Sequence, residues 1–289
     1  MAESPGEWRR AGARFRWDGH DIFVRRGGNP TAPVLLLVHG FPTSSWDFAT
    51  VWPALAASWR VLTLDLLGFG LSGKPRGHAY RIGGQADLIE AFLRHEAVDD
   101  YHVLAHDYGD TVVQELLARR TGRPRLRSAC LLNGGIYPEA HHPLPIQRLL
   151  ASPAGPLVAR LASRRLFATS LRKIFGPGRP PTPTEIEGLW TLLEAGGGRA
   201  VLAPLSRYRR ERRAMRGRWA GALAAADVPL RLVVGTADPI AGQDMADRYR
   251  TLVPRADVVE LPGVGHYPQL EAPDQVIAAL LAFHRVAGA

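Results

Sequence analysis

Two patterns of apolar and polar positions alternate along this chain. Nearly continuous apolar runs at 33–39, 60–65, 101–105, 126–132, 230–235 and 258–261 predict strands buried on both faces. Helical stretches fall at 46–58, 86–96, 111–117, 245–251 and 273–286. Residues 14–17 and 22–25 flank Asp18-Gly19 and predict a hairpin. Strands that alternate with helices predict an α/β architecture, a mostly parallel eight-stranded sheet with helices on both faces. The stretch 137–222 breaks this pattern: it shows short helical segments, the breakers Gly176-Pro177-Gly178 and Gly196-Gly197-Gly198, and no strand. It is expected to be a helical cap inserted after strand 6, over the strand ends where open α/β sheets bind ligands. The expected division is therefore core 1–136, cap 137–222 and core 223–289.

Composition narrows the picture. A chain of 289 residues can bury one large core. No apolar stretch is long enough to span a bilayer, and residues 1–16 lack the apolar segment of a signal peptide. The single cysteine, Cys130, sits in an apolar strand, which predicts a buried thiol and fits a reducing cytoplasm. The net charge of +9 is carried almost wholly by arginine. The densest run, Arg207 to Arg218, is expected to be a solvated helix face, since no nucleic-acid motif accompanies it. His141-His142 lacks companion ligands at metal spacing and is expected on the cap surface.

The candidate chemistry lies at the strand ends. Ala105-His106-Asp107-Tyr108-Gly109 follows a strand and precedes a helix, with small residues flanking the centre. That pattern describes a nucleophile elbow, here carrying Asp107 where serine is usual. His39-Gly40-Phe41-Pro42 ends another strand; the backbone N–H groups of Phe41 and Tyr108 are the expected oxyanion hole. Asp238 and His266 follow the last two strands, giving the order nucleophile, acid, histidine. His106 adjoins the elbow but should point to the opposite face, in a structural role. A carboxylate is already ionised at neutral pH, and its attack on an ordinary ester would give an anhydride. Attack on an sp³ carbon with a leaving group gives an alkyl ester instead, which a histidine-activated water can hydrolyse. The expected reaction is therefore opening of an epoxide or displacement of an alkyl halide. An epoxide oxygen needs a proton; a halide needs N–H donors.

At these residues the chain resembles the aspartate-nucleophile α/β-hydrolases, the epoxide hydrolases and haloalkane dehalogenases. His39-Gly40-Phe41-Pro42 resembles the His-Gly-aromatic-Pro motif of epoxide hydrolases, whose aromatic-Pro bond is typically cis. Asp65-Leu66-Leu67-Gly68-Phe69-Gly70-Leu71-Ser72 is similar to a motif of both groups. Most of the chain resembles an epoxide-hydrolase-like vertebrate branch, through 39–72, 105–117, 133–139, 218–223 and 266–271. The resemblance implies the α/β-hydrolase fold, no metal or organic cofactor, and epoxide conversion to a vicinal diol. Leu205-Ser206-Arg207-Tyr208 resembles the segment bearing a cap tyrosine, which makes Tyr208 the expected proton donor. Tyr137 and Trp46 are candidates for contacting a small apolar epoxide or halide, and Trp190 and Phe175 hint at an apolar site. Dehalogenases typically carry Trp and Asn where this chain has Tyr108 and Phe41, which favours the epoxide. A haloalkane dehalogenase is the same-chemistry alternative. A low-turnover ligand-binding protein is the alternative from another class.

Overall fold

The computed structural model describes residues 3–119, 122 and 124–287. Eight strands form one sheet: β1 (Ala13–Trp17), β2 (His20–Gly27), β3 (Val34–Val38), β4 (Arg60–Leu64), β5 (Asp100–His106), β6 (Arg125–Leu132), β7 (Leu230–Gly235) and β8 (Asp257–Leu261). Their order is β1-β2-β4-β3-β5-β6-β7-β8. Only the β1–β2 and β2–β4 pairings are antiparallel. The register Trp17↔His20 closes the first hairpin over two residues, and both Asp18 and Gly19 take positive φ, as the type I′ turn demands. β3, Val-Leu-Leu-Leu-Val, is buried at every position because helices cover both faces of the central strands. Cys130 is buried in β6 as expected, and its surroundings push the thiol pKa up.

Parallel strands share one carboxyl edge, so the segments after β3, β5, β6, β7 and β8 meet there. The elements predicted along the core are present with shifted ends. The expected helix 46–58 is instead a 3₁₀ turn, Ser45–Phe48, followed by the short helix Trp52–Ala56 with Pro53 in its first turn. A helix not expected from the sequence, Pro5–Arg10, is held by a Ser4–Glu7 capping box and buries Trp8.

Between β6 and β7 lie helices only, among the described residues. The expected cap boundary at 222 falls inside the helix Arg216–Ala224. That helix is tied to the helix Tyr108–Arg119: Glu115 accepts hydrogen bonds from Trp219 Nε1 at 2.8 Å and Arg218 Nε at 3.0 Å. We therefore propose that the cap ends near 215 and that Arg216–Ala224 belongs to the core. No helix among the described residues is long and apolar enough to cross a membrane.

Candidate active site

Asp107 stands between β5 and the helix Tyr108–Arg119 with φ of 47°, a left-handed conformation that few side chains adopt without surrounding constraint. The constraint is visible at Gly109, where a Cβ would lie 2.4 Å from the Val38 carbonyl oxygen. Only glycine lets the elbow approach β3 so closely. The Asp107 carboxylate is buried, and the Phe41 backbone N–H donates to its Oδ2 at 3.1 Å. Tyr108 opens the helix, so its N–H has no intrahelical acceptor and belongs to the positive end of the helix dipole. The Phe41–Pro42 bond is cis.

His266 and Asp238 are paired at this edge. Nδ1 of His266 lies 2.7 Å from Oδ2 of Asp238, with both side chains buried. Burial by itself would disfavour the imidazolium, but the Asp238 charge, its hydrogen bond and the Asp107 charge reverse that. The His266 pKa is raised to about 9. Asp238 is held in turn by Ile240 N–H on Oδ1 at 2.8 Å and by Asn133 Nδ2 on Oδ2 at 2.9 Å. Asn133 follows β6 with φ of 45° and also exchanges hydrogen bonds with the Gly235 backbone.

The His266 loop is clamped from three sides. His106 Nε2–H donates to the His266 carbonyl oxygen at 2.8 Å, and burial keeps His106 neutral by pushing its pKa well down. Its ring also lies 5.1 Å from that of His266, so the side chain packs against the histidine it was expected to face away from. The His266 N–H donates to the Ile174 carbonyl at 2.8 Å. Glu271 accepts from the N–H groups of Gly176, Gly265 and Tyr267 at 2.7, 2.8 and 3.0 Å. A Cβ at Gly265 would stand 2.3 Å from the Ile174 oxygen, so the end of the cap helix Arg164–Ile174 rests directly on this loop. The Asp65–Ser72 segment fastens the opposite side. Asp65 accepts from the Ser45 N–H at 2.8 Å and the Leu71 N–H at 2.6 Å, tying the Phe41 loop to the turn after β4.

An apolar cavity of about 230 Å³ lies between this edge and the cap. Phe41, Tyr267 and His266 line it on the core side; Leu161, Leu166 and Trp190 are among its cap residues. Phe175 does not line it but stacks on Tyr267, with centroids 5.4 Å apart. Asp107 and Tyr208 do not line the cavity but sit against Phe41, which does. Tyr208 is buried beside the elbow, its ring 5.8 Å from Phe41 and 4.9 Å from Tyr108. Its hydroxyl has no hydrogen-bond partner. Burial raises its pKa, the nearby Asp107 charge raises it further, and Arg212 and Arg209 act in the opposite sense.

Four expectations are corrected here. Trp46 turns away from the cavity: its Nε1 donates to the Glu3 carbonyl at 2.8 Å, and its ring packs on Gly188. Tyr137 does not line the cavity either. It is buried among Arg248, Glu139 and Arg216, and burial pushes its pKa up to about 12. The Arg207–Arg218 run is not a fully solvated face. Arg209 and Arg212 are buried, and the Arg212 guanidinium lies 4.8 Å from the Tyr208 ring centroid. Of the histidine pair, His142 is exposed beside Asp244, but His141 points inward with its Nε2 buried and unpartnered. Sequence reasoning also missed Asn133, Glu271 and Arg212 as supports of the site. A polar residue directly after a buried apolar strand was the available signal for Asn133.

The alpha/beta hydrolase family pattern matches residues 35–279. The chain is 40% identical over 291 residues to the mesoderm-specific transcript homolog protein of Bos taurus, spanning 96% of this chain and 86% of the relative. It is 43% identical over 280 residues to LipZ of Mycobacterium tuberculosis, spanning 96% of each. Among solved structures, a loop variant of haloalkane dehalogenase DbeA from Bradyrhizobium elkanii superposes with a TM-score of 0.81 at 22% identity, covering 96% of this chain and 97% of that one. At that identity the likeness is one of fold.

Proposed function

The chain belongs to the alpha/beta hydrolase family, and from that premise we propose that it hydrolyses epoxides to vicinal diols through an ester on Asp107. The observation that carries this reading is a carboxylate on the elbow, with Phe41 N–H on its Oδ2 and the His266–Asp238 pair beside it. In the first step, the free Oδ1 of Asp107 attacks an epoxide carbon. The C–O bond breaks toward oxygen, which takes the Tyr208 proton. In the second step, His266 removes a proton from water, and the hydroxide attacks the Asp107 carbonyl carbon. The Phe41 and Tyr108 N–H groups stabilise the tetrahedral oxyanion. Its collapse releases the diol and restores the carboxylate, and the proton on His266 returns through water to the Tyr208 oxygen. One water is consumed, and every step uses side chains and solvent.

Tyr208 favours an epoxide over a halide, because its buried O–H can supply a proton beside Asp107. Haloalkane dehalogenation is the second reading, favoured by the shared nucleophile chemistry. Styrene oxide and 1-bromobutane separate the two. The expected result is diol from the first and little bromide from the second. In a single turnover in H₂¹⁸O, the diol should carry no label, since its new oxygen comes from Asp107. Labelled diol would exclude the aspartyl ester, and bromide release alone would select the dehalogenase.

The pH dependence follows from the same pair. In the resting enzyme the Asp107 charge helps hold His266 near pKa 9, so the imidazole is protonated at neutral pH. Esterification removes that charge, so the His266 pKa falls once the ester forms, freeing the base when it is needed. Ester hydrolysis should therefore rise with pH along a limb whose midpoint lies below 9. Rapid-quench measurement of ester decay across pH tests this; a flat profile would remove His266 as the base.

A further inference from the structure

We propose that the cap docks on an anionic lipid surface and that the substrate enters the cavity from the lipid as a long-chain, lipophilic molecule. Four large apolar side chains are exposed among the described residues: Leu149, Leu157, Leu161 and Leu166, at 50, 60, 65 and 55%. All four fall within three consecutive cap helices and their joints, Pro145–Leu150, Gly155–Arg160 and Arg164–Ile174. Single exposed leucines need no explanation, but a cluster confined to one short stretch does. The same stretch is polarised in charge. Residues 140–184 contain no Asp or Glu, and they carry Arg148, Arg160, Arg164, Arg165, Arg172, Lys173 and Arg179. The first six of these are exposed.

Arg164 is paired with Glu187 at 2.8 Å. Apolar tips set among the other exposed cations match the two components of an anionic bilayer, headgroup charge and acyl chain. The same charge disfavours a second copy of this face, since like cations would meet across the two-fold. The cavity adds continuity. Leu161 and Leu166 are exposed and also line it, so apolar surface is continuous from the outside of the cap to the cavity wall that His266 and Tyr267 share. A lipid tail leaving the bilayer would meet apolar surface along the whole route. The reacting group of that lipid, an epoxide, rests on the function proposed above; docking itself does not depend on it.

Co-sedimentation of the full chain with vesicles tests the docking. The chain should sediment with phosphatidylcholine vesicles containing phosphatidylglycerol, be released by added salt, and bind phosphatidylcholine alone weakly. Leu149 and Leu157 do not line the cavity. The Leu149→Ser/Leu157→Ser variant should therefore lose about tenfold in partitioning while its turnover of dissolved styrene oxide is unchanged. Arg148→Gln/Arg165→Gln should weaken binding about fivefold per charge removed. Failure of the wild type to sediment, or equal binding to both vesicles, would overturn the proposal. So would a dimer in analytical ultracentrifugation that the leucine variant abolishes without any change in vesicle binding. If styrene oxide is not turned over but vesicle binding behaves as stated, the reaction assigned above fails and the docking stands.

Discussion

Replacing His266 with glutamine is expected to arrest the enzyme as a stable ester on Asp107. Alkylation asks of Asp107 only that it be ionised and correctly aimed, and its aim comes from the elbow and the Phe41 N–H rather than from His266. Hydrolysis of the ester asks for a base. Glutamine can hydrogen-bond Asp238 but cannot take a proton from water, so this step should slow by about 10²–10⁴-fold or more. The adduct is then the species that accumulates. Intact-mass spectrometry after incubation with styrene oxide should show the protein heavier by one whole epoxide, because ring opening loses no atoms. A haloalkane would add its alkyl group alone. Proteolysis should place the increment on the peptide containing Asp107, and Asp107→Ala in the same background should abolish it. Absence of any adduct from either substrate class would overturn nucleophilic attack by Asp107.

How much of this was legible before the structure depends on what kind of signal each residue gives. Asp107, Asp238 and His266 each follow an apolar run, and parallel strands bring such segments to one edge, so their meeting could be read from strand order. The place of the Phe41 N–H beside Asp107 followed for the same reason. Side-chain direction within irregular segments could not be read this way. Trp46 lies in a turn mistaken for a helix, and its aim toward Gly188 depends on where the cap folds back. Charge misled at Arg209 and Arg212. Arg212 sits four residues after Tyr208 and three after Arg209 along one helix, so it shares the buried side with both. The boundary expected at 222 falls inside Arg216–Ala224, which looks like any short helix until Glu115 is seen to hold Trp219. The Ser4–Glu7 capping box was readable in the sequence, but the segment's polarity hid the single buried anchor, Trp8.

Tyr208→Phe is expected to separate the two leaving groups. The substitution keeps the ring against Phe41 and Tyr108 and removes a buried hydroxyl that has no hydrogen-bond partner, so the fold should lose nothing. A thermal melt at or above that of wild type checks this. What is lost is the proton for the departing oxygen. An epoxide alkoxide that leaves unprotonated is a poor leaving group, and loss of general acid catalysis should cost about 10²–10⁴-fold in the rate of ring opening. The residue is poorly acidic on its own account, since burial and the Asp107 charge hold its pKa up. The Arg212 guanidinium over its ring works against both and stabilises the tyrosinate left after transfer. In the His266→Gln background, ring opening is read directly as the rate of adduct formation. Tyr208→Phe should slow that rate for styrene oxide and leave it nearly unchanged for 1-bromobutane, whose bromide needs no proton. Equal slowing for both would make Tyr208 a packing residue. No slowing for the epoxide would mean that another group supplies the proton.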